Sequence, residues 1–313
     1  MIRSRALSLT LFVVAGCSSS PAPSSTPDAP PPLRPGVDDS SQAYQGTPDA
    51  DETAFWTAVL AADDTGRAAA VQQLEADVGS DPSNGYSEFL IGASYFMPPT
   101  AVAQAIASGS DVPEFDLDGS GAAPILGEGL ANLQDPFYLG FDGGLLGELE
   151  LAHGDPSDGG PTFATAAMHN PAATGLIRVI GDLLQQQPQA ALSDMYGLYE
   201  FCNGGAVDHA GGDAAAIVAK QNAGAMVHRE CYSGFYAPHG TEGMMLVLGD
   251  LQAINGNGSA AQAYYAAVQQ ATGYATWPMQ AVVQRRVSGA QAADPATVAR
   301  ITSTCATCHV TRL

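Results

Sequence analysis

No period-two alternation of apolar and polar residues persists along this chain; where apolar residues recur over longer stretches, they recur three and four apart. That spacing builds one face of a helix, and the missing alternation argues against half-buried strands. The expected fold class is all-α. Asp51-Glu52-Thr53 puts acids ahead of Phe55, Trp56, Val59 and Leu60, the pattern of a first helical turn. An Ala-rich helix is expected over 65–78, ended by Asp81-Pro82, and another over 83–96, ended by Met97-Pro98-Pro99. Residues 110–240 are rich in Gly, Asp and Pro, so short helices (Pro171–Gln187, Gly212–Tyr232) are expected between long loops. Asp294-Pro295 opens the last helix, with Asp as its cap and Pro in its first turn. The folded domain is expected to span 51–313.

Two segments resemble tetratricopeptide repeats. One has Asp81-Pro82-Ser83-Asn84 followed by Leu90-Ile91-Gly92 and Tyr95. The other starts near Gly243, with Leu248-Gly249, a turn at Gly256, then Ala261, Tyr264, Tyr265 and Ala267. The resemblance implies helical hairpins in which small residues admit a partner helix and aromatics fill the gap. Residues 110–240 do not keep the period, so the expectation is an irregular helical-hairpin domain. Any helical hairpin packed through small residues gives the same pattern.

The N-terminus carries Arg3 and Arg5, then a short apolar run from Leu7 to Val14, then Ala15-Gly16-Cys17. This is the layout of a secretory signal. Its end resembles the lipobox of bacterial lipoproteins, which implies cleavage after residue 16 and a lipid on Cys17. No other apolar run approaches the roughly 20 residues that cross a bilayer. Residues 17–50 are Ser, Pro, Ala, Asp and Gly with almost no large apolar residues, a composition suited to a flexible tether. The expected location is the cell envelope, with the lipid as the sole membrane attachment. Ser18 after the lipidated Cys favours the outer membrane, facing periplasm or exterior.

Removing residues 1–16 leaves nine basic residues against 32 acidic ones, a net charge of −23, and Lys220 is the only lysine. Such a surface repels phosphate backbones, which argues against nucleic acid as a partner.

Near the C-terminus stands Cys305-Ala306-Thr307-Cys308-His309, a C-x-x-C-H motif. On a helix, residues i, i+3 and i+4 share a face, so two thiols and an imidazole are presented together. The motif resembles the haem-attachment site of c-type cytochromes. The resemblance implies two thioether bonds from Cys305 and Cys308 and an axial iron bond from His309. Its place on the last helix of a helical domain resembles cytochrome c′, although Val310-Thr311-Arg312-Leu313 lacks the aromatic usual there. A thioredoxin-type pair would need a βαβ context and a zinc site would need further ligands, neither of which the chain supplies. A plain disulfide across the motif is the remaining alternative.

Candidates for a sixth iron ligand are Met168, His169, Met226, His228 and Met279. Arg285 and Arg286 could face haem propionates, but the pair reads better as a solvated face. Asp116, Asp118 and Ser120, followed by Gly121, match the first half of a calcium loop; position 12 is Gly127, and Glu128 comes one place late. Two cysteines remain, Cys202 and Cys231, and in an oxidising compartment they are expected to pair. Closing that loop would stabilise the fold by roughly 3–4 kcal/mol.

The functional expectation is a monohaem lipoprotein that passes single electrons to a redox partner protein. The alternative is a helical interaction protein in which haem is a sensor or a structural element. A haem enzyme is disfavoured because di-haem peroxidases carry two such motifs and this chain carries one.

Overall fold

The computed structural model describes residues 50–61, 63–110, 120–153, 156–223 and 239–309. Among them the chain is all-α, as expected, and its helices pack largely as sequential hairpins. The helices are α1 (Ala50–Leu60), α2 (Asp64–Ser80), α3 (Gly85–Ser94), α4 (Thr100–Ser108), α5 (Ala123–Asn132), α6 (Pro136–Ala152) and α7 (Pro156–His169). They continue as α8 (Pro171–Leu184), α9 (Pro188–Asn203), α10 (Ala214–Asn222), α11 (Gly240–Ile254), α12 (Gly258–Val268), α13 (Gln280–Ser288) and α14 (Pro295–His309).

The starts of these helices follow from local chemistry. Asp63, Asn84, Asp135 and Asn170 each accept a hydrogen bond from a backbone N–H in the first turn they precede. Pro136, Pro171, Pro188 and Pro295 occupy first positions, where a missing N–H costs nothing. Gly109, Gly204 and Gly289 end α4, α9 and α13 in the left-handed conformation.

The middle of the chain departs from expectation. Residues 123–203 are helical with brief connections, and Asn170 alone separates α7 from α8. The glycines that suggested loops lie inside α6 at 140, 143, 144 and 147, one face by helical spacing. A Cβ at Gly140 would sit 2.8 Å from the Asn170 amide nitrogen. At Gly144 it would meet the Ile177 side chain at 2.8 Å, and at Gly147 the Phe163 amide nitrogen at 2.9 Å. The stripe therefore lets α7 and α8 approach the backbone of α6. Glycine's local preference against helix is overridden by packing.

The hairpin expected near Gly243 forms as α11 and α12, with Gly256 in the left-handed conformation between them. A Cβ at Gly249 would lie 2.6 Å from the Tyr265 ring, so small and aromatic residues do interlock there. On α3 the space at Gly92 is taken by Leu126 of α5, not by α2. The helix expected over Gly212–Tyr232 is seen as α10, and residues 224–238 lie outside the described ones.

Two hydrophobic cores result. One gathers Phe55, Trp56, Phe89, Phe137, Tyr138 and Phe141 from α1, α3 and α6. The other gathers Met195, Tyr199, Leu248, Tyr264, Val283, Val298 and Ile301 from α9 and α11–α14. Helix α8 serves both: Leu176, Val179 and Leu183 face one, Ala173 and Ile177 the other.

Substitution at two glycines separates packing from propensity. Gly140→Ala is expected to destabilise by about 1–3 kcal/mol, since the added methyl meets backbone. Gly127→Ala, an exposed position in α5 with nothing within 4 Å of the added atom, is expected to stabilise by roughly 0.5–1 kcal/mol. Denaturant midpoints of the two variants against the parent check both signs.

Candidate functional site

The site is built on α14, which must begin at a fixed place for its far end to be positioned. Arg286 of α13 and Asp250 of α11 form a buried ion pair, with Nε–Oδ1 at 2.8 Å and Nη2–Oδ2 at 3.1 Å. Tyr265 donates to the same Oδ1 at 2.6 Å. The Arg286 Nη1 donates onward to the Ala292 carbonyl at 3.1 Å, two residues before Asp294. Asp294 then caps α14 by accepting from the Thr297 N–H at 3.0 Å. Arg285 donates to the Ile106 and Ala107 carbonyls at the end of α4 and to Gln291. Neither arginine belongs to the solvated face expected for them; both are structural, and Arg286 is only 4 % exposed.

From that start α14 runs as unbroken helix to His309, packed chiefly against α8 and α11. Val298, Ala299, Ile301 and Thr302 are fully buried. By helical register, positions 305, 308 and 309 continue the stripe of Val298, Ile301 and Thr302. The side chains of 303–309 lie outside the described residues. Helix at all three positions is the backbone form that presents two thiols and an imidazole on one face, and in that respect the chain fits a covalent haem.

The other candidates fall in different places. Met168 is 76 % exposed and His169 partly buried, both at the end of α7. Met279 is buried in the second core immediately before α13. Ser120 opens a short 3₁₀ turn, Ser120–Ala122. Met226, His228, Asp116, Asp118 and Cys17 lie outside the described residues. Cys202 is fully buried and disulfide-bonded, and its expected partner Cys231 also lies outside them. Among the described residues no group of three or more His, Cys, Asp or Glu is placed to hold a metal ion.

Two groups of buried acids were not anticipated. Asp142 of α6 is wholly buried and neither carboxyl oxygen has a hydrogen-bond partner. Burial, aided by the Glu88 carboxylate of α3, pushes its pKa up to about 8. Glu88 itself accepts from the Asn132 amide at 2.9 Å. On α6 and α8, burial raises Glu148 to about 7, with Arg178 opposing, and raises Asp182 to about 6, with Asp194 adding to the effect. Arg178 pairs with Asp194 at 3.3 Å and lies over the Phe163 ring. The sequence signal was present: Asp142 and Glu148 sit in a helix that is apolar or glycine nearly all round. A helix of that kind is a buried one, and its acids go inside with it.

His239 was also unanticipated. It caps α11 in the left-handed conformation, at φ 63°, which non-glycine residues seldom adopt. Its Nδ1 is buried and lacks a hydrogen-bond partner.

No protein-family model, curated protein or solved structure matches the chain.

Two outcomes follow from the buried charges. Asp142 holds its proton in the folded state up to about 8 and releases it near the ordinary 3.8 when unfolded. Across that window the folded state binds more protons, so this carboxyl makes stability fall as pH rises. Asp142→Asn should remove a slope approaching 1.4 kcal/mol per pH unit, read from denaturant melts across the window. Arg286→Met should cost about 3–5 kcal/mol, because it strands the Asp250 carboxyl without its partner; an accompanying Asp250→Leu should recover much of that loss in the same melts.

Proposed function

We propose that the chain is a lipid-anchored envelope protein that carries one covalent c-type haem on α14 and transfers single electrons. The observation that carries this reading is the unbroken helix through the C-x-x-C-H motif, started at a buried ion pair and capped by Asp294. Without helix at 305–309 the three groups would not share a face.

The residues divide the work. Cys305 and Cys308 would each add sulfur to one vinyl carbon of haem, with the thiol hydrogen passing to the neighbouring carbon. His309 would hold the iron from one side. The haem, when bound, supplies a one-electron iron couple. Arg286, Asp250 and Tyr265 fix where α14 begins and so where its far end lies. The lipid on Cys17 would keep the protein at the membrane, and the tether over 17–50 would give the domain reach. A mature charge of −23 suits a basic redox partner, drawn in at low ionic strength.

The full chain, expressed with a haem-attachment system, should give the c-type spectrum in a pyridine haemochrome assay. Cys305→Ala with Cys308→Ala should abolish it while the fold, read by circular dichroism, persists. Absence of covalent haem in the parent would defeat the proposal. A disulfide between Cys305 and Cys308, found by mass spectrometry, would then replace it.

A further inference from the structure

We propose that His239 is the second axial ligand of the iron, with Glu242 orienting it; this rests on the haem reading above. Helix α14 leaves the neighbourhood of Asp250, because Arg286 joins Asp250 to the Ala292 carbonyl. Beyond Asp250, α11 has one further turn; before it, α11 extends back to Gly240. Because α14 packs extensively on α11 and only one turn of α11 lies beyond Asp250, the surface available to it is the stretch from Asp250 back toward Gly240. At about 1.5 Å per residue, the stretch from Asp250 back to His239 and that from Asp294 on to position 305 have equal length. The motif and His239 thus share one end of the helix pair.

The state of the His239 ring suits a ligand. A Cβ at Gly273 would lie 2.9 Å from its Nδ1 and 2.7 Å from Oε1 of Glu242, so the two atoms flank one small gap. Glu242 is only 3 % exposed. The two groups are not hydrogen-bonded; a small shift across the gap would let the carboxylate accept from Nδ1, the arrangement that fixes the tautomer of a metal-ligating histidine. Nδ1 faces inward and His239 as a whole is half-buried, which leaves Nε2 for iron. The left-handed backbone at His239 is strain of the kind that collects at ligand sites. Of the other described histidines outside the motif, His209 pairs with Glu200 and stacks on Tyr196, His153 is exposed at the end of α6, and His169 ends α7, a helix without extensive packing on α14. Met168 shares α7 and is exposed, and Met279 is buried within the second core ahead of α13.

The test uses haem-loaded protein, with covalent haem first established by haemochrome so that failure of attachment is read separately. Ferric parent should be six-coordinate and low-spin by electron paramagnetic resonance and resonance Raman. His239→Gly relaxes the backbone and should keep full haem content, become high-spin, and return to low-spin on adding imidazole. His239→Asn, which tolerates the left-handed conformation, should also become high-spin without imidazole. Glu242→Gln should stay low-spin with a raised midpoint potential. A haem-loaded parent that is high-spin, or either His239 variant that stays low-spin without imidazole, overturns the assignment while leaving the haem reading intact. A parent without covalent haem overturns both.

Discussion

A guanidinium and a carboxylate taken out of water cost several kcal/mol each unless geometry and extra hydrogen bonds compensate. Arg286 and Asp250 meet that condition with a two-pronged contact, the Tyr265 hydroxyl and the Ala292 carbonyl. The consequence is positional. One ion pair ties α11, α12, α13 and the linker ahead of α14 to a single point, and a fixed start fixes the direction of the helix that follows. Arg285 repeats the device on a smaller scale by reaching carbonyls at the end of α4.

The helix starts were legible because they rest on neighbours in sequence. Asp294-Pro295 and Asp51-Glu52 name their helices from within one turn, and the Leu248-Gly249 and Tyr264-Tyr265 pair named its hairpin. The α6 region was misread for a physical reason. Glycine is a poor helix former alone, and its value at 140, 144 and 147 lies in what Asn170, Ile177 and Phe163 do across the gap. Those partners are distant in sequence, and local propensity cannot see them. The same holds for Arg286, whose partner lies on another helix.

The site divides along the same line. Cys305, Cys308 and His309 are legible as a linear motif because the proposed haem attachment would require them within one helical turn or so of each other. His239 has no such signature. What marks it is a positive φ, an unpartnered Nδ1 and a neighbour pair, Glu242 and Gly273, whose relevance depends on α11 and the turn after α12 meeting in space. Asp142 lies between: its acidic side chain in an apolar helix was visible, but its facing Glu88 on α3 was not.

Helix α8 lies between the two cores, and none of its residues from Pro171 to Leu183 is exposed. A helix that contributes to both cores does not loosen alone, because opening it uncovers apolar surface in both directions. Its amide protons are therefore protected by the stability of the whole domain and not by any local strength.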